Sequence, residues 1–234
     1  MPKIRVIFIG HEQKEFIERQ KKYRERIVSK DFAVEITSIK QGPETIEQAL
    51  DEVLAGQEIL SEVLRAEAEG ADAVIVDCAL DPILSASRQA VRIPVVGAGQ
   101  AAYALALTLG DRFSILGPLK CLVPEYRRRI HEYGLSGRLA SIRSIDVEIL
   151  DLLSDKAVQA FVREGRSAID KDQADVLVLG CTGMSPVMPR LQQMLEVPVV
   201  DPASAAIALA ETLIRLHLTH SSVAYPYKSI EQHG

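Results

Sequence analysis

Three cysteines in 234 residues are too few for a disulfide framework, and they imply free thiols in a reducing compartment. No run comes near the roughly 18 apolar residues of a membrane-spanning helix. The apolar stretch of residues 1–10 is too short for a signal peptide. A cytoplasmic protein with no membrane partner is expected. Basic residues are scattered except for Arg127-Arg128-Arg129, which reads as a solvated helix face, and the net charge is −5. Nucleic acid is therefore not expected as a partner. No G-x-G-x-x-G follows a strand, so Gly97 and Gly99 are assigned to a turn and not to a phosphate. No nucleotide, pyridoxal or metal motif is visible, so the expectation is no cofactor and no metal. Long linkers and low-complexity segments are missing too.

What is present is ordinary for a soluble globular protein. Hydrophobic residues are 47% and charged residues 25%, enough to bury a substantial core as one domain or two small ones.

The informative feature is a repeat. Residues 71–106 read ADAVIVDCALDP…IPVVGAGQAAYALA, and residues 174–210 read ADVLVLGCTGMSP…VPVVDPASAAIALA. Cys78 answers Cys181, and Pro94-Val95-Val96 answers Pro198-Val199-Val200. A duplicated unit of this kind predicts two similar lobes about an approximate two-fold axis. One thiol from each lobe could then face a common cleft, as inverting a stereocentre requires.

Apolar runs alternate with helical patterns along the whole chain. Strands are expected at Ile4–Gly10, Phe32–Ile39, Ala73–Val76, Ile93–Val96, Arg112–Leu116, Ala140–Ile145, Val176–Leu179 and Val197–Val200. Helices are expected over residues 12–30, over 45–69 with a break near Gly56, and over 100–109, 123–133, 155–172, 186–195 and 203–218. A further helix is expected to open at Asp81-Pro82, with Asp81 as its N-cap. This pattern predicts an α/β fold of two pseudo-symmetric lobes, each a parallel sheet flanked by helices, with the active site in the cleft between them. The lobes are expected at residues 1–97 with 206–234, and at 98–205. The chain would cross near Gly97–Gly99 and return near Asp201–Ser204, so that the last helix packs on the first lobe.

In such sheets ligands bind beyond the carboxyl ends of the strands. Cys78 and Cys181 both fall there, each ahead of a helix. Helix N-termini would lower the thiol pKa values. Backbone amides near Ala79, Leu80, Thr182 and Gly183 could hold a carboxylate or an enolate oxygen. His11, at the end of the first strand, is either a hydrogen-bond donor to substrate or a solvated histidine. Ser85, Thr182 and Ser204 are possible hydroxyl contacts. Cys121 has no counterpart in the other copy and is read as structural.

Gly42-Pro43-Glu44-Thr45-Ile46-Glu47 with Asp51-Glu52, Cys78-Ala79-Leu80-Asp81-Pro82, Gly180-Cys181-Thr182-Gly183-Met184 and Pro198-Val199-Val200-Asp201-Pro202 together resemble the aspartate/glutamate/hydantoin racemase superfamily, and hydantoin racemases within it. The match runs from about residue 40 to 215. The resemblance implies a cofactor-independent racemase in which Cys78 and Cys181 are the two acid/base groups, acting on a 5-substituted hydantoin or related cyclic ureide. It departs from the family in three places. Gly10-His11-Glu12-Gln13 stands where an Asn-Pro-Asn-Thr type segment is usual. Cys-Ala-Leu and Cys-Thr-Gly stand where the amino-acid racemases have Cys-Asn-Thr and Cys-Thr-Glu, which argues against aspartate or glutamate as substrate. The alternatives are an amino-acid racemase or dicarboxylate isomerase of the same superfamily, and a non-catalytic two-lobed ligand-binding module. A decarboxylase would keep only the second cysteine. The expected partner is a small-molecule substrate, with the chain in a homo-oligomer.

Overall fold

In a computed structural model, which describes residues 1–10 and 14–228, the repeat becomes two sheets of one topology. The first half runs β1 (Lys3–Phe8), α1 (Lys14–Ile27), β2 (Ala33–Ser38), α2 (Ala49–Ala68), β3 (Ala73–Asp77), α3 (Leu84–Ala90), β4 (Val95–Gly97) and α4 (Ala98–Leu109). The second runs β5 (Phe113–Gly117), α5 (Val123–Glu132), β6 (Leu139–Ser144), α6 (Asp155–Asp172), β7 (Val176–Leu179), α7 (Met188–Met194), β8 (Val199–Val200) and α8 (Pro202–Arg215). The strand orders are β2-β1-β3-β4 and β6-β5-β7-β8, and every pairing is parallel. Parallel strands covered on both faces need continuous apolar sequence. That is why β3, AVIVD, and β7, VLVL, are buried at every position.

Two helices cross over. The last helix, α8, packs on β1, β3 and β4 of the first sheet, while α4 packs on β7 and β8 of the second and against α8. Their facing sides are small: Ala101, Ala102 and Ala106 on α4, and Ala205, Ala206 and Ala210 on α8, all buried. One hydrophobic core therefore takes in both sheets, from Ile4 and Ile75 to Ile115 and Val178. A second core lies between β7, α6 and α7.

Two local expectations need correcting. Helix α2 starts four residues later than Thr45 and runs through Gly56 without a break. Gly56 serves close packing, since a Cβ there would lie 3.2 Å from Ile83 Cγ2. Asp81 does not open its own helix. It sits in the left-handed region at φ 51°, and α3 begins only at Leu84. Its carboxylate reaches across to the start of α4, accepting from the N–H groups of Gly99 at 2.8 Å and Gln100 at 2.6 Å. It is an N-cap supplied from a distant loop.

Candidate active site

The two central strands β3 and β7 each end at a cysteine-bearing turn. Cys78 follows β3 directly, and Cys181 follows β7 after Gly180. Both are free and partly exposed. A single cavity of about 660 Å³, its mouth included, has both cysteines in its wall, together with Ala79, Leu80, Thr182 and Gly183. Phe8, Phe16, Ile46, Leu122 and Tyr126 make much of the rest apolar. Six of the nine candidate site residues named from the sequence thus share one cavity. His11 lies outside the described residues, though its neighbour Gly10 lines the wall. Cys121 is exposed and is not part of the lining. Ser85 lines a different pocket, with Arg88 and Tyr225. The Ser204 hydroxyl is engaged by Asp201 and Tyr23.

The two turns present their thiols alike. The Gly183 N–H donates to Cys181 Sγ at 3.3 Å, and the Leu80 N–H faces the Cys78 sulfur. These donors favour thiolate, as the sequence suggested, but they are outweighed. Burial pushes the Cys78 thiol well up, and it pushes Cys181 up to about 11. The expected lowering fails because no α-helix begins at either sulfur. Cys181 opens a 3-10 turn over Thr182–Val187, and α3, seven residues long, starts several residues beyond Cys78. Without a long aligned helix the N-terminal field is weak, and desolvation dominates.

Buried carboxylates surround the turns. Asp81 also accepts from the Tyr133 hydroxyl at 2.7 Å, and burial lifts its carboxyl to about 6 against these donors. The second half solves the same problem differently. Asp201 caps α8 from the position equivalent to Gly97, accepting from Ala203 and Ser204 N–H, and it also takes the hydroxyls of Ser185 and Tyr23. The carboxylate has changed sides of one contact. In the first half it comes from the cysteine turn and the strand end is glycine; in the second half the strand end supplies it. Gly97 must then be bare, because a Cβ there would sit 2.4 Å from Asp81 Oδ1.

Sequence reading missed Asp77, Arg24, Gln20 and Tyr126. Asp77 lines the cavity immediately before Cys78 and meets Arg24 at 2.5 Å, with both side chains 1% exposed. Gln20 accepts from Arg24 and donates to the Gly183 carbonyl, tying helix α1 to the Cys181 turn. The Thr182 hydroxyl donates to the Asp77 carbonyl at 3.1 Å. Tyr126 lines the wall and donates to the Gly180 carbonyl at 2.6 Å. One signal was available. Asp77 is a charge at the end of a buried strand, and its counterpart in the repeat is Gly180.

Two parallel sheets of one topology, with a thiol at each central strand end, define a class of two-fold α/β proteins with paired cysteines. Residues 17–210 match the Asp/Glu/Hydantoin racemase family, and the chain belongs to it. A hydantoin racemase of Rhizobium meliloti is 36% identical over 189 residues, covering 79% of this chain and 78% of that protein. The allantoin racemase from Klebsiella pneumoniae superposes with a TM-score of 0.91 at 28% identity, covering 98% of this chain and 95% of that one. The allantoin racemase from Pseudomonas fluorescens gives 0.90 at 29% identity, with 97% of each chain covered. The enzyme class these relatives and the family define is an isomerase, a racemase.

Proposed function

We propose that the protein racemises a neutral cyclic ureide, a 5-substituted hydantoin or a ring such as allantoin, with Cys78 and Cys181 as the two bases. The observation that carries this reading is the composition of one wall: both thiols, and among the described lining residues no basic side chain. A substrate anchored by its carboxylate would call for a cation there; a neutral ring does not. One cysteine, as thiolate, takes the proton from the ring carbon next to the carbonyl. The charge spreads onto the carbonyl, and the other cysteine, as thiol, returns a proton to the opposite face. The backbones of Ala79, Leu80, Thr182 and Gly183 flank the reacting carbon and orient it. The mechanism asks for no cofactor.

Loss of ellipticity by enantiopure hydantoins and allantoin, followed by circular dichroism, tests the reading. Racemisation of L-aspartate or L-glutamate, with the ureides inert, would replace it.

Leu50, Val53 and Leu54 form an exposed apolar stripe on α2, 58–73% accessible, which favours a homo-oligomer. Three free cysteines favour a cytoplasmic setting. Among the described residues no helix is long and apolar enough to cross a membrane.

A further inference from the structure

Helix α1 turns one face toward the two thiol turns. Phe16, Gln20, Tyr23 and Arg24 recur at helical spacing and share that face. Arg24 pairs with Asp77, the residue before Cys78, at 2.5 Å. Phe16 lies against Gly183, where a Cβ would come within 3.0 Å of its ring. Gln20, 1% exposed, accepts from Arg24 at 2.8 Å and donates from Nε2 to the Gly183 carbonyl at 2.8 Å. The helix belongs to the first half of the chain and Gly183 to the second.

The Gly183 carbonyl needs that donor for a reason written in the sequence. In a 3-10 turn the carbonyl of one residue is taken by the N–H three residues on. In the turn over Thr182–Val187 that position is Pro186, which has no N–H. The Gln20 amide stands in its place. Tyr126, from α5, steadies the other side of the thiol by donating to the Gly180 carbonyl at 2.6 Å. The Gly183 N–H donates to Cys181 Sγ at 3.3 Å, and the Thr182 hydroxyl donates to the Asp77 carbonyl at 3.1 Å. A closed circuit results, from Asp77 through Arg24, Gln20, Gly183 and Thr182 back to Asp77. Cys78 adjoins one end of it and Cys181 the other.

We propose that Gln20 is a positioning residue for Cys181: its amide replaces the N–H that Pro186 lacks and fixes the second thiol's turn relative to Cys78. The proposal rests on the reading of the two cysteines as the bases and adds what holds them in register. Moving a proton off one face of a carbon and onto the other needs both sulfurs aligned on it, and a misplacement of about 1 Å can cost on the order of a hundredfold in rate. Gln20 acts only through the Gly183 carbonyl; it is not part of the cavity lining.

Amide hydrogen exchange of the intact protein, read by mass spectrometry, tests the turn without any substrate. In Gln20→Met the amides of residues 183–185 should exchange about tenfold faster than in the wild type, because a buried carbonyl has lost its donor. Those of β3 and the Cys78 turn should change by less than about threefold, which a general loss of stability would not spare. Pro186→Ala supplies the missing N–H inside the turn, so Gln20→Met with Pro186→Ala should return to within about threefold of the wild type. Gln20→Glu keeps an oxygen for Arg24 but gives Gly183 no donor. It should fold even if Gln20→Met does not, and it should show the fast turn. In a circular-dichroism assay on enantiopure 5-methylhydantoin, Gln20→Glu and Gln20→Met should lose about ten- to a hundredfold in kcat with KM within about threefold, and Pro186→Ala should recover the loss in Gln20→Met. Exchange at the wild-type rate in folded Gln20→Glu would overturn the proposal. So would a double variant whose turn stays fast, or a fast turn with kcat unchanged. If the wild type racemises no ureide, the functional reading fails, while the exchange rates and their rescue still decide whether Gln20 holds the turn.

Discussion

A thiol acts as a base only when ionised, so the raised pKa of Cys181, about 11, has a kinetic consequence. At neutral pH only about one molecule in ten thousand would carry that thiolate before substrate binds. The sign follows directly: base catalysis needs the deprotonated form, so kcat/KM should climb about tenfold per pH unit between pH 7 and 10. A flat profile over that range would show that the working base ionises lower. The division of labour can also be separated. Cys78→Ala and Cys181→Ala should each lose at least about 10²–10⁴-fold in racemisation in both directions, because every turnover needs one donor and one acceptor. Each should still exchange the ring hydrogen for deuterium with one enantiomer, retaining configuration, and the preferred enantiomer should reverse between the two variants. NMR in deuterated water reads this, and racemisation at the wild-type rate by either variant would remove that cysteine from the mechanism. At this scale the cysteines were legible because the repeat writes them twice. Asp77 was only half legible: the repeat sets it against Gly180, but its partner Arg24 belongs to another element, and no local pattern encodes that pairing.

Among the elements, strands were read well because burial on both faces forces continuous apolar runs such as VLVL in β7. The loops between them were read poorly. Asp81-Pro82 has the local chemistry of a helix start, yet the tertiary contact with α4 claims the carboxylate first. That contact makes Gly97 and Asp81 interdependent. Gly97→Ala should destabilise by about 1–3 kcal/mol through overpacking. Asp81→Ala should cost about 1–2 kcal/mol through the lost cap. The double variant should cost less than the sum, because removing the carboxylate also removes its clash with the new methyl. Additive values in urea melts would mean the two sites are independent. The segment after α8 makes a second element-scale device. The backbone N–H of Val95, on the edge strand β4, donates to His220 Nε2 at 2.7 Å. Only a neutral imidazole can accept that bond. Burial and the charge of Arg88 hold the His220 pKa down to about 4. The folded value lies below the ordinary 6.5, so the contribution is complete above pH 6.5 and is lost as the pH falls toward 4, amounting to about 2 kcal/mol. The gap in melting temperature between wild type and His220→Ala should therefore close over that interval. A constant gap would show that the histidine is not titrating there.

For the whole molecule, the repeat suggested two lobes, and we propose residues 1–97 with 206–234 and residues 98–205 as the two units. Their exchange of helices argues that neither folds alone. The first sheet has α8 on β1, β3 and β4, and α8 comes from the far end of the chain; the second sheet has α4 on β7 and β8, and α4 follows the first sheet directly. The core between them includes Ile4, Ile75, Ile115, Val178 and Ala206 in one cluster. Removing α8 would delete the buried Ala205, Ala206, Ile207 and Ala210 and expose the parts of β1, β3, β4 and α4 that they cover. At about 25 cal/mol per Å² of apolar surface, a loss of even 500 Å² amounts to roughly 12 kcal/mol. That is as large as the whole stability of many domains, which runs about 5–15 kcal/mol. A chain ending at Asp201 should therefore fail to form either sheet, and the full chain should unfold in one step, with calorimetric and van't Hoff enthalpies equal. The thiols would then be matched in position by a core that cannot form on one side alone. Circular dichroism of the truncated chain and calorimetry of the whole one measure this. A truncated chain that kept a folded second sheet, or two separate transitions in the intact protein, would show that the halves are autonomous and that the exchanged helices merely decorate them.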